Sequence, residues 1–180
     1  RLQEPARYGF HATLKPPFEL AAGATRADLL EAAQRFAARR QPIALARLAV
    51  IRIGSFLALT PVETPRELGE LADACVRDFD RFRAPLTAAD RGRRLAGMLT
   101  PRQISHLDRW GYPYVFEDFR FHMTLTGALP ATAHDAAAGA LQDLYTRIAG
   151  PVAVDSISVL EQEGRSTRFR VLQRFGFPPY

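Results

Sequence analysis

Two short stretches decide the fold of this chain: residues 10–14 read FHATL, and residues 121–125 read FHMTL. In each stretch a histidine stands two positions before a threonine, between a phenylalanine and a leucine. Alternating polar and apolar residues with aromatic side chains favour a β-strand, so we interpret both stretches as strands. Two matching strands far apart in the chain indicate an internal repeat.

The landmarks that follow the two motifs also match. Pro42 and Pro151 each end a predicted helix at nearly the same distance from the histidine, and Gly54 and Gly164 each mark a predicted hairpin. Each half therefore predicts the same order of elements: strand, helix, strand, hairpin, strand. Chance explains a match of motif and landmarks together less well than a duplication does.

The duplication predicts an α+β fold with two lobes, whose antiparallel sheets face a central cleft and whose helices lie outside. We expect one bilobal domain over all 180 residues, with repeats at about 7–83 and 112–180 and a helical connection at about 84–111. The predicted strands are 7–15, 43–53, 55–60, about 119–127, about 152–162 and 167–173. The predicted helices are 26–40 and four that begin near Thr64, Thr87, Thr100 and Thr132.

The polar sides of the two motif strands hold the candidate site residues, because positions i and i+2 of a strand point the same way. These residues are His11, Thr13 and Lys15 in the first strand and Arg120, His122, Thr124 and Thr126 in the second. If a two-fold axis relates the strands, the two imidazoles flank one small space. Imidazole exchanges protons near neutral pH, so one ring can accept a proton from water while the other donates one to a leaving oxygen. The hydroxyls and the cationic groups are then placed to hold phosphoryl oxygens.

The paired motif resembles the two-histidine (2H) phosphoesterase superfamily, and residues 7–18 and 119–127 are more narrowly similar to a family of phosphonate-metabolism proteins. The resemblance covers essentially the whole chain. It implies the fold of cyclic phosphodiesterases and RNA 2′,5′-ligase-like proteins, no required metal or other cofactor, and a cyclic or diester phosphate substrate. Carried over by position, the two histidines are the catalytic acid–base pair and the two threonines bind phosphate.

Residues outside the motifs have weaker signals. The possible cleft residues are Tyr8, Tyr112, Tyr114 and Thr126. The tyrosine rings would stack on a base or sugar, although packing is the plainer role for each, and Thr126 near the strand end would touch the substrate. His106 and His134 are predicted to be exposed and not catalytic. Cys75 lies on an apolar helical stripe and is predicted to be part of the core.

Composition limits the functional classes. The net charge of +5 favours anionic ligands. The single cysteine excludes an internal disulfide framework and favours a reducing, cytoplasmic compartment. The sequence has no apolar run of membrane-spanning length, no metal-binding or serine-hydrolase motif, and no glycine-rich phosphate loop with its lysine. Because the chain begins at Arg1 rather than Met, and the resembling family has a further strand before the first motif, we expect an upstream segment.

The sequence thus predicts an enzyme, a metal-independent phosphoesterase that hydrolyses a cyclic phosphodiester. The substrate would be a 2′,3′-cyclic nucleotide, an RNA end or a ribose cyclic phosphate. For the protein we expect no membrane association and no obligate protein partner. Two alternatives stay open: a non-catalytic module that binds a phosphate or an RNA end, and an RNA 2′,5′-ligase. Loops such as 84–118 set the pocket shape, which decides between a nucleotide, an RNA end and a small sugar phosphate as the substrate.

Overall fold

A computed structural model of the chain describes residues 9–164 and 167–179. The helices are α1 (Arg26–Ala37), α2 (Arg66–Asp78), α3 (Ala88–Leu95), α4 (Pro101–Trp110) and α5 (His134–Ile148). The strands are β1 (Ile43–Leu45), β2 (Leu48–Ile53), β3 (Phe56–Pro61), β4 (Met123–Thr124), β5 (Val152–Val154), β6 (Ser156–Glu161) and β7 (Arg170–Gly176). The strands pair antiparallel in small sheets, which confirms the α+β class.

Contacts between residues divide the described chain into two units, each made of separated segments. Unit 1 contains residues 9–13, Ala33–Pro65 and the described residues from Phe121 onwards, and unit 2 contains Leu14–Ala32 and Arg66–Arg120. The segments of the two units alternate along the chain, whereas the predicted repeats are contiguous. The division into repeats stays a prediction.

Unit 1 contains the strands. β3 lies between β2 and β4 in one sheet, β1 pairs with β5, and β6 pairs with β7. The predicted hairpin between β2 and β3 is confirmed, and Gly54 occupies its turn with a φ of +57°, a conformation that glycine adopts without strain. α5 packs on β2, where the backbone N–H of Val50 donates to the Gln142 side chain at 2.9 Å. Leu57, with no exposed surface, lies at the centre of the core of this unit.

Unit 2 contains α2, α3 and α4. The predicted apolar stripe of α2 is confirmed, since Leu68, Leu71, Cys75 and Val76 are all buried. α4 begins with a capping box, in which Thr100 and Gln103 satisfy each other's backbone N–H groups, and ends at Gly111. These local signals work because each one pairs a backbone group that the helix itself leaves unpaired.

Both motif strands are shorter than predicted. Of residues 9–15 only Ala12 forms a strand bridge, because the chain bends at Leu14 and Lys15 ahead of two prolines. The strand predicted for the second motif, about 119–127, is observed only as the two-residue strand β4. The predicted strand 43–53 divides into β1 and β2, since these pair with different partners.

The predicted surroundings of α5 and of the two other histidines need correction. α5 begins at His134 after a short 3-10 turn, without a side-chain cap from Thr132, and Leu144 and Ile148 of its predicted apolar stripe are exposed. His134 is buried, not exposed, and donates from Nε2 to the Ser55 carbonyl at 3.1 Å. His106 is also mostly buried, with a side chain 14% exposed beside two acidic residues.

Within the part of the chain that the structure describes, no helix is both long and apolar enough to cross a bilayer.

Candidate functional site

The two His-x-Thr motifs meet in unit 1. Their middle residues, Ala12 and Met123, form an antiparallel bridge. In an antiparallel pair the position before one partner faces the position after the other, so the histidine of each motif lies opposite the threonine of the other. Regular strand geometry on either side of this bridge would place all four side chains on one side of the sheet and the bridged residues on the opposite side, which stays a prediction. The two histidines are diagonal neighbours, a relation with a typical Cα separation of about 7–8 Å.

Hydrogen bonds hold the His11 ring in one orientation. Its Nδ1 lies 3.1 Å from the Gly9 carbonyl oxygen, and its Nε2 lies 3.0 Å from Oγ1 of Thr13. Because a carbonyl oxygen only accepts, Nδ1 carries the proton in this arrangement. In the neutral ring Nε2 then has the free lone pair and accepts from the threonine hydroxyl. The Gly9 carbonyl thus sets the tautomer of His11 in this arrangement.

His122 lies beside the central strand β3. Its ring centroid is 5.9 Å from that of Phe56, the first residue of β3, and the two rings are tilted by 47°. On the same strand Ala58 pairs with Thr124 and has no exposed surface.

Lys15 lies in unit 2, with its side chain 8% exposed. Its Nζ donates to the Val76 carbonyl at 3.1 Å and to Oδ1 of Asp80 at 3.4 Å. Burial lowers the pKa of Lys15, although the negative charge of Asp80 partly offsets that effect. The bend at residues 14–15 removes Lys15 from the strand that was expected to align it with His11. Its role in binding phosphate stays a prediction.

The remaining candidates are more dispersed. Arg120 is exposed and is the last residue of unit 2, and Thr126 accepts a hydrogen bond from the Leu57 backbone N–H at 3.0 Å. Tyr112 and Tyr114 pack edge to face in unit 2, with ring centroids 5.5 Å apart. Tyr8 lies outside the described residues.

Two residues near the histidines were not among the sequence candidates. Gly9 has a φ of +70° and supplies the carbonyl that accepts from His11. The sequence offered a signal for this residue, because a glycine two positions before the histidine indicates a backbone turn there. Phe56 gave no such signal, because its contact with His122 depends on strand pairing between distant segments.

No group of three or more His, Cys, Asp or Glu side chains within residues 9–164 and 167–179 is arranged to hold a metal ion.

The model of a family described as "Protein of unknown function (DUF1045)" matches residues 13–170. A protein of Janthinobacterium sp. (strain Marseille), named ribose 1,5-bisphosphate phosphokinase PhnN, is 40% identical over 176 residues, which are 95% of this chain and 39% of that protein. A protein of the same name from Laribacter hongkongensis (strain HLHK9) is 41% identical over 129 residues, or 72% of this chain and 30% of that protein. This chain therefore spans less than two fifths of each relative.

Proposed function

The chain belongs to the DUF1045 family, and we propose that it is a metal-independent phosphoesterase that hydrolyses a cyclic phosphodiester with His11 and His122. The antiparallel bridge between Ala12 and Met123 is the observation that carries this proposal. It supports a site in which two imidazoles and two hydroxyls face one shared space, as the 2H phosphoesterase resemblance implies.

Strand pairing also supports a duplicated scaffold. Ala12 and Met123 hold equivalent positions in the two motifs, and they pair with each other. Ala44 and Ala153, which follow the matching Pro42 and Pro151 by two residues each, pair with each other as well. Pairing of equivalent residues at two separate places is what a local two-fold axis between repeats requires.

The proposed reaction uses the two rings in different roles. Nε2 of His11 takes a proton from a water molecule, whose oxygen attacks the phosphorus. The bond from phosphorus to one bridging oxygen breaks, and protonated His122 donates its proton to that oxygen. The product is a phosphate monoester with a free hydroxyl. His11 receives the role of base because its bond to the Gly9 carbonyl leaves Nε2 with the lone pair.

The threonines would hold the non-bridging oxygens of the phosphoryl group. In the structure the Thr13 hydroxyl donates to Nε2 of His11, a position that a water molecule must take during the reaction. Thr13 is exposed and Thr124 half-buried, so both hydroxyls can turn towards a ligand. Hydrogen bonds to these oxygens would stabilise the charge that develops in the transition state.

The relatives suggest a ribose phosphate as substrate. This chain has no glycine-rich phosphate loop, and its only lysine is paired with Asp80, so we assign the kinase activity named for the relatives to the larger part of them outside the match. Opening a cyclic phosphate on C1 of a ribose 5-phosphate would yield ribose 1,5-bisphosphate, the substrate in that printed name. We therefore propose a ribosyl cyclic phosphate, within phosphonate metabolism, ahead of a 2′,3′-cyclic nucleotide or an RNA end.

Turnover of a panel of cyclic phosphates tests the proposal. The panel includes 2′,3′-cyclic nucleotides and a ribosyl 1,2-cyclic phosphate that carries a 5-phosphate. His11→Ala and His122→Ala should each lower kcat by roughly 10²–10⁴-fold, the usual contribution of a positioned proton donor or acceptor. His106→Ala, in unit 2, is the matched control and should retain turnover. Thermal melts check that each variant is folded.

Two results would count against the proposal. Loss of turnover in EDTA would contradict the metal-independent mechanism. Binding of phosphate by the wild type without turnover of any member of the panel would favour a binding module instead.

A further inference from the structure

Unit 2 holds an excess of positive charge around one carboxylate. Asp80 accepts from Arg83 at 2.8 Å and from Lys15 at 3.4 Å, and Arg109 lies 3.6 Å from its other oxygen. Burial alone would raise the pKa of Asp80, but the hydrogen bonds and charges of Arg83 and Lys15 outweigh burial and lower it. Three cations share one anion, which leaves this cluster with an uncompensated positive charge.

A further arginine adds to that excess. Arg94 is half-buried, and its guanidinium lies over the Tyr112 ring, 5.3 Å from the centroid. Among the described residues it has no carboxylate partner within ion-pair distance. Burial lowers the pKa of Arg94, and the neighbouring charges of Arg93 and Arg83 lower it further. Arg93 and Arg83 are paired with Asp90 and Asp80, so Arg94 is the half-buried cation of this group without a carboxylate among the described residues, which favours a bound anion.

The backbone at the end of α4 brings these groups together. Gly111 has a φ of +76°, and a Cβ there would lie 3.0 Å from a guanidinium nitrogen of Arg83. Glycine thus lets Arg83 lie against the backbone directly before Tyr112, on which Arg94 packs. Arg83 also lines a cavity of about 290 Å³ together with Arg91, Pro85, Leu86 and Asp108. Arg91 and Arg94 are three positions apart on α3 and so share a face of that helix.

We propose that this cationic corner, formed by Lys15, Arg83, Arg94 and Arg109, binds a phosphate monoester. Its excess positive charge suits a dianion better than the single charge of a diester. Of the four residues only Arg83 lines the cavity, whose other charged side chains, Arg91 and Asp108, pair with each other, so the cavity adjoins the corner and has room for the rest of a small molecule. Arg94 is the direct ligand, because a guanidinium fork matches phosphate oxygens. The Arg83 guanidinium already donates to Asp80 and to the Ala84 and Arg109 carbonyls, so Arg83 contributes through its charge. Lys15 and Arg109 contribute through their charge.

Phosphate binding by a variant without the histidines tests this inference separately from the proposed reaction. Inorganic phosphate is titrated into His11→Ala/His122→Ala protein by calorimetry and by ³¹P NMR. We expect binding to persist there and the Kd to rise at least tenfold when Arg94→Gln is added. Arg66→Gln is the matched control, since Arg66 lies on an exposed face of α2 with a side chain 88% exposed, and it should leave the Kd unchanged.

Other outcomes would overturn the inference. Equal Kd values with and without Arg94→Gln would place any bound phosphate elsewhere. No phosphate binding by the His11→Ala/His122→Ala protein would show that the cationic corner is not a phosphate site. Arg94→Lys keeps the charge and should give an intermediate Kd. That result would show that the weaker binding of Arg94→Gln comes from the lost charge and not from a folding defect. A dinucleoside monophosphate, which has one diester charge, should bind more weakly than inorganic phosphate. Tighter binding of that diester would indicate a nucleic-acid backbone and would reject the monoester.

Discussion

Replacement of Asp80 by asparagine should destabilise the protein, because it removes the carboxylate that faces three cations. Two of these cations cannot reach water easily: the side chains of Lys15 and Arg83 are 8% and 14% exposed. Arg109, at 67% exposed, is solvated and contributes little. Asparagine has nearly the shape of aspartate, so the change removes charge with little effect on packing.

The magnitude follows from the cost of leaving a buried cation without its partner, which is about 3–5 kcal/mol. The exposed pair with Arg109 adds at most about 1 kcal/mol. For a domain of this size, a loss of 3–5 kcal/mol lowers Tm by roughly 6–20 °C. That loss is a large fraction of a typical total stability of about 5–15 kcal/mol.

Urea denaturation of the wild type and of Asp80→Asn measures this difference. Asp143→Asn, at an exposed position of α5, is the matched control and should change the free energy of unfolding by less than about 0.5 kcal/mol. If stability is lost because the buried Lys15 ammonium has no carboxylate partner, adding Lys15→Met to Asp80→Asn should restore part of the free energy of unfolding. A loss below about 1 kcal/mol in Asp80→Asn would refute the reasoning.

The same difference should depend on pH. The pKa of Asp80 in the folded state lies below its ordinary value of 3.8, so the unfolded chain takes up the proton first as the pH falls. The stabilisation by Asp80 is therefore complete well above pH 3.8 and is lost as the pH falls through the lowered pKa. The gap between wild type and Asp80→Asn should narrow in that acidic range, and a gap that stays constant would contradict this assignment.

Two further substitutions test local geometry. Gly111→Ala should lower the free energy of unfolding, measured by thermal denaturation, by about 1–2 kcal/mol. The φ of +76° strains any residue other than glycine, and the added methyl group would meet Arg83. An unchanged free energy of unfolding would show that the turn relaxes freely. Thr100→Ala should lower the free energy of unfolding by about 1 kcal/mol, because it removes the capping box of α4. Thr100→Ser keeps the hydroxyl and should retain most of the stability. Equal losses in the two variants would argue against the cap.

Local chemistry explains what the sequence could predict. Thr25 and Asp28 cap α1 with bonds between neighbours, and Gly54 turns the first hairpin, so a short stretch contains all the information. The apolar stripe of α2 likewise repeats at helical spacing, and Cys75 on it is buried as predicted.

Tertiary context decided what the sequence could not predict. His134 can be buried because its ring N–H donates a hydrogen bond to the Ser55 carbonyl, which lies in a turn distant in the chain. The His106 ring lies 3.7 Å from Glu117 and 3.6 Å from Asp118, which belong to a separate segment of the chain. Lys15 leaves the motif strand because the chain bends towards Asp80, and its alternation with Thr13 gave no sign of that bend. Spacing along a strand predicts a shared side only while the strand continues.

The most direct test of the central claim follows the histidine rings themselves. In Arg94→Gln protein, which lacks the second proposed anion site, long-range ¹H–¹⁵N spectra record each imidazole while inorganic phosphate is added. We predict that the signals of His11 and His122 shift together with one common Kd, while the buried His134 stays unchanged. Shifts in only one of the two rings, or two different Kd values, would contradict a site shared by both motifs.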